Sequence, residues 1–123
     1  MPSRMDLATG KKRVWAAEFS TNIGICPSRY YMVTAADNSV FPERRPKAWT
    51  LYGWTTDGER IKLDEVNVNA GGPYDLTTGN LKERMYFIQS AGFQKPMNRF
   101  RLEISECFDK DDDATMQIAE FHF

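Results

Sequence analysis

The stretch Arg45-Pro46-Lys47-Ala48-Trp49-Thr50-Leu51-Tyr52-Gly53 leads from a loop into a strand. Trp49 and Leu51 fall on one face, Thr50 and Tyr52 on the other, which is the two-residue period of a half-buried strand. The chain end, Met116 to Phe123, reads as another strand that runs to the last residue. Between them Phe100, Leu102 and Ile104 alternate with Arg101, Glu103 and Ser105, the cleanest such pattern in the chain. Working outward, Trp15, Ala17 and Phe19, then Tyr31, Val33 and Ala35, then Ile61 and Leu63, then Tyr86 and Ile88 repeat the same spacing. Turn chemistry separates these runs: Thr21 to Gly24, a long loop from Asp37 to Pro46, Thr55 to Gly58, Asn69 to Pro73, and Ser90 to Pro96. No segment sustains helical periodicity. The expected fold class is therefore all-β, an antiparallel β-sandwich jelly roll of about seven to eight strands. In the last strand the apolar phase switches from Met116 and Ile118 to Phe121 and Phe123, which predicts a β-bulge near Ala119 and Glu120.

A chain of 123 residues fits one domain, expected over residues 13–123, with 1–12 as an N-terminal extension or an abbreviated first strand. Sixteen basic and 17 acidic residues give a net charge of −1, so the charge supplies no argument for nucleic acid. No run approaches the apolar length of a membrane span, so no membrane insertion is expected. The opening Met1-Pro2-Ser3-Arg4-Met5-Asp6 does not read as a secretory leader, so an exported protein would carry this chain as part of something longer. Cys26 and Cys107 lack zinc or redox spacing and read as buried thiols, with a disulfide as the open alternative.

Catalytic vocabulary is sparse. His122 is the sole histidine, and its place between Phe121 and Phe123 points it to solvent. A serine–histidine triad or a histidine-based zinc site has little material here, and the expectation is that the chain is not an enzyme. Asp111 to Asp113 read as a solvated loop, and Gly71-Gly72 as a turn. Arg44 is expected to pin the long loop, while an exposed guanidinium at this place could read a ligand through its planar donors. Aromatic platforms are sought in loops, at Phe41, Tyr74, Phe93 and Phe108, while Trp15 and Trp49 sit in core phase. Trp54 is divided between packing and surface binding.

The run Arg44-Arg45-Pro46-Lys47-Ala48-Trp49, closing on Leu51-Tyr52-Gly53, resembles the galactose-binding-like jelly roll of discoidin and coagulation-factor (F5/8) type C domains and their bacterial carbohydrate-binding relatives. Asp57-Gly58, Leu63-Asp64, Phe100-Arg101-Leu102 and Gln117-Ile118-Ala119-Glu120 follow in the family order. Arg45 stands where the family carries Asp, and that departure implies that it is the freer of the two arginines to meet a ligand. The resemblance implies a noncatalytic glycan-binding module, an accessory domain of an exported bacterial glycan-active enzyme or adhesin, located extracellularly or at the cell surface. The alternative is a structural or protein-interaction domain that docks on a neighbouring domain. It implies a ligand site at Asn38, Arg44, Arg45, Phe108 and Asp109, and a structural calcium held by Glu120 and Asp6. The galactose-specific histidine and arginine have no counterparts here, so galactose specificity is not implied.

Overall fold

The computed structural model describes residues 3–6, 13–89, 95–110 and 115–123; Ser3–Asp6 and Arg13 are described by their backbone course alone. Eight strands form: β1 (Ser3–Asp6), β2 (Arg13–Ile25), β3 (Arg29–Val33), β4 (Pro46–Thr55), β5 (Arg60–Asn67), β6 (Glu83–Phe87), β7 (Met97–Cys107) and β8 (Glu120–His122), with a short 3-10 turn at Pro42–Arg44. They make a five-stranded sheet ordered β1-β2-β7-β4-β5 and a three-stranded sheet ordered β6-β3-β8, with every pairing antiparallel.

The alternation read from the sequence fills the space between the sheets. Trp49 and Leu51 of β4 and Phe100, Leu102 and Ile104 of β7 point inward, and meet Tyr30 and Met32 of β3 and Tyr86 of β6. Each fully buried side chain of this size contributes on the order of 1.5–3 kcal/mol. Phe19 stacks on Phe100 at 5.4 Å and meets Phe121 and Phe123 at 5.5 and 5.6 Å, so β2 and the chain end close one flank with aromatic rings. Gly53 faces the core where a Cβ would lie 2.5 Å from Met97 Sδ and 3.1 Å from Leu63 Cδ1; glycine is what lets β4 approach that closely.

Three local departures have physical causes. The inward phase of β3 is Tyr30 and Met32, not Tyr31 and Val33: both phases are apolar, so alternation alone could not choose between them. In β5 the register slips by one residue, with Leu51 opposite Asp64 and Tyr52 opposite Lys62. Leu63 is the extra residue, and this bulge turns both Leu63 and Asp64 inward. At the chain end Ala119 N donates to Val33 O at 2.8 Å, while Glu120 is also registered on Val33, so two residues share one partner where the apolar phase switches. Cys107 is buried, but Cys26 is exposed, contrary to expectation, and no disulfide joins them.

Candidate functional site

The residues expected to bind ligand sit in a web of loop contacts. Asn38 is 1% exposed, and its amide donates to Thr77 O at 2.8 Å and Gly79 O at 3.0 Å. It fixes a segment in which Thr77 holds a positive φ of 113°, a strained position for a β-branched residue. Asn38 is thus a loop anchor rather than a ligand contact. Arg45, expected to be the freer of the two arginines, is instead the more firmly held. Arg45 is buried and forms a two-pronged pair with Asp75, Nε to Oδ1 at 2.7 Å and Nη2 to Oδ2 at 2.9 Å, and its Nη1 donates to Pro42 O. Its guanidinium also covers the Phe108 ring at 4.0 Å, so Phe108 offers no open face on that side. Arg44 lies half-buried over Phe41 at 3.9 Å and donates through Nη1 to the Gln117 amide oxygen at 3.2 Å. Asp109 is tied through its backbone, N to Glu43 O at 2.7 Å, and its carbonyl accepts from Cys107 Sγ. Arg44, Arg45, Phe108 and Asp109 do come together, but as the clasp that joins the long loop to the end of β7. Phe93 and Asp111 to Asp113 lie outside the described residues.

An open groove of about 590 Å³ lies on another flank, between the edges of β5 and β6. It exists because β5 pairs only with β4 and β6 only with β3, which leaves the two sheets apart at this side. Tyr86, Ile88 and Val66 are buried along it; Glu65, Asn67, Arg84 and Gln89 supply planar polar groups. Two aromatic rings line it with much of their surface in solvent, Tyr74 at 58% and Phe87 at 70% exposed. The Tyr74 backbone is held rigidly: its carbonyl accepts from Tyr86 Oη at 2.8 Å. The next residue, Asp75, accepts from Arg45, from Gly71 N at 2.8 Å, and through its carbonyl from Arg84 Nη1 at 3.0 Å. Gly71 adopts a φ of 73°, so this tight turn depends on glycine. Arg84 Nε is buried without a hydrogen-bond partner, the only such side-chain atom among the described residues. The guanidinium is therefore not fully satisfied by the protein.

The electrostatics separate two carboxylates. The Arg45 guanidinium beside Asp75 is the main cause holding its carboxyl down to about 2. Burial pushes Asp64 up from its ordinary value, opposed by the hydrogen bond from Tyr30 and by the amides of Glu65 and Gln89. Trp49 Nε1 donates to Tyr30 Oη at 2.8 Å, and Tyr30 Oη donates to Asp64 Oδ2 at 2.7 Å, so Asp64 is a strut between the sheets. His122 is exposed and stacks on Tyr31 at 5.0 Å. Among the described residues no group of three or more histidine, cysteine or acidic side chains could hold a metal. Glu120 is exposed on β8, and the Asp6 side chain lies outside the described residues, so the described side chains do not themselves form a calcium cage.

No family model matches the chain, and no curated protein matches it in sequence. Solved structures do match in three dimensions, among them the following two. One is a family 32 carbohydrate-binding module of EndoD from Streptococcus pneumoniae, at a TM-score of 0.51 and 16% identity, covering 97% of this chain and 73% of that one. The other is a chitobiase fragment from Bacteroides thetaiotaomicron, at a TM-score of 0.50 and 11% identity, covering 98% of this chain and 62% of that one. The chain has the galactose-binding-like jelly-roll fold. At these identities the likeness is one of architecture, and function has to be argued from side chains. In this jelly roll no described helix is long and apolar enough to cross a membrane.

Proposed function

We propose that this jelly roll is a noncatalytic glycan-binding module that holds a short run of sugars in the groove between β5 and β6. One observation carries the reading: two outward aromatic rings, Tyr74 and Phe87, line a groove that also presents Glu65, Asn67, Arg84 and Gln89. Sugar rings have an apolar C–H face that lies on aromatic surface, and hydroxyls that planar polar groups recognise. The fold shared with a carbohydrate-binding module supports the reading. The role is binding rather than catalysis because Asp64, the acid with a raised pKa in the groove, is committed to Tyr30 and to backbone amides. On this proposal the chain is an accessory part of an exported bacterial glycan-active protein. Calcium enters only as a structural ion held by Asp6 and Glu120; a melting temperature that falls with EGTA and recovers with calcium supports that part, and no change removes it.

A glycan array with the wild-type chain, Tyr74→Ala and Phe87→Ala tests the site. Binding to a neutral oligosaccharide that weakens about ten-fold in each variant, equivalent to about 1.4 kcal/mol, is the expected result. No bound glycan, or variants that bind like wild type, would reject it. The alternative, a domain that docks on a protein neighbour, draws on the exposed Phe87 and Met85 of β6. It predicts no glycan signal and a loss of the partner contact in Phe87→Ala.

A further inference from the structure

The outer face of the five-stranded sheet carries a second chemistry, separate from the groove. Trp54 of β4 is registered between Arg60 of β5 and Arg99 of β7, and Tyr52 between Lys62 and Arg101. The Arg99 guanidinium lies over the Trp54 ring at 4.1 Å, and that of Arg60 over Tyr52 at 4.7 Å. These contacts hide the apolar faces of Trp54 and Tyr52, which remain only partly exposed. Among the described residues, the cations registered beside Tyr52 are neutralised: Arg101 by Glu103 at 2.7 Å and Glu18 at 2.8 Å, Lys62 by Glu65 at 3.3 Å. Arg60 and Arg99 are exposed, and neither has a carboxylate partner among the described residues. Beside them Trp54, Thr55, Thr56, Gly58, Asn98 and Arg99 line a shallow basin of about 280 Å³.

We infer that this face binds a carboxylate-bearing polysaccharide, with Arg60 and Arg99 each receiving an acid group and Asn98 and Thr56 meeting hydroxyls. Stacking occupies the flat face of a guanidinium and leaves its edge N–H donors free. It also holds the fork in one plane, which suits a two-pronged bond to a carboxylate. Positions on either side of a central strand lie two strand spacings apart, about 10 Å. That suits carboxylates two sugar units apart on an acidic polysaccharide. A nucleic acid is held through many phosphate contacts at once, whereas this face offers, among the described residues, two arginines without a carboxylate partner.

The test is affinity electrophoresis and titration calorimetry of the 123-residue chain with polygalacturonate, neutral dextran and single-stranded oligothymidylate, at low and moderate salt. The expected result is binding to polygalacturonate that weakens with salt, little retention by dextran, and at least about a ten-fold loss in Arg60→Gln/Arg99→Gln with an unchanged melting curve. Arg99→Lys keeps the charge but not the fork, and falls between the two. Tyr74→Ala and Phe87→Ala leave this binding intact, so the two sites are judged separately. No binding to polygalacturonate, equal binding of the double variant, or tighter binding of oligothymidylate lost through the same substitutions would overturn the inference.

Discussion

Replacing Asp75 with asparagine removes one charge from a buried pair and leaves the other behind. Arg45 keeps its place above Phe108 and under the loop, but its partner no longer carries a charge and offers one acceptor oxygen in place of two. Breaking such a pair from one side typically costs about 3–5 kcal/mol, because the remaining charge stays desolvated. That is a large part of the roughly 5–15 kcal/mol that holds a domain together. The pair also sets the acid limit of stability. The Asp75 pKa lies at about 2 when folded, against 3.8 for the unperturbed group. A folded-state pKa below the unfolded one means that the ionised form favours folding. This contribution is present in full above about pH 4 and is lost as pH falls towards 2. At 1.36 kcal/mol per unit it amounts to about 2 kcal/mol. Urea denaturation followed by tryptophan fluorescence, with Trp49 as a fully buried reporter, measures both effects. Asp75→Asn is expected to lose about 3–5 kcal/mol at pH 7 and to show a flatter profile between pH 4 and 2 than wild type. A loss below about 1 kcal/mol, or parallel pH profiles, would refute the claim that this clasp organises the loops.

Two other substitutions probe the core. Tyr30→Phe takes the acceptor from Trp49 Nε1 and a donor from Asp64, so about 2–4 kcal/mol should be lost in the same urea assay. Gly53→Ala drives a methyl group towards Met97 Sδ and Leu63 Cδ1 and should cost about 1–3 kcal/mol, read as a lower thermal midpoint.

The sheets were legible where one phase of a strand is apolar and the other is not. In β7 the charges on Arg101 and Glu103 leave no choice of inner face, and in β4 the positions of Trp49 and Leu51 decide it. In β3 the sequence offers Tyr30 and Met32 against Tyr31 and Val33, and only the opposing sheet selects one pair. The arginine roles were illegible for a related reason. Adjacent Arg44 and Arg45 point different ways, and what draws Arg45 inward is Asp75, 30 residues on, in a segment that reads as an ordinary loop. Tyr74 could be picked out as a loop aromatic, but the groove it lines could not. That space is set by two unpaired sheet edges, and neither edge has a signature of its own in the sequence.

The surplus residue at Leu63 has a consequence for any attempt to re-engineer β5. Removing that one position would restore a regular ladder, with Lys62 opposite Tyr52 and Asp64 still opposite Leu51, so the facing of what lies beyond would be kept. Asp64 would keep its bond from Tyr30 Oη and Glu65 would stay outward opposite Thr50; what the interior would lose is the buried Leu63 side chain. Leu63 therefore serves the interior rather than the phase of the strand, and grafts or chimaeras that cross this edge should keep an apolar residue there.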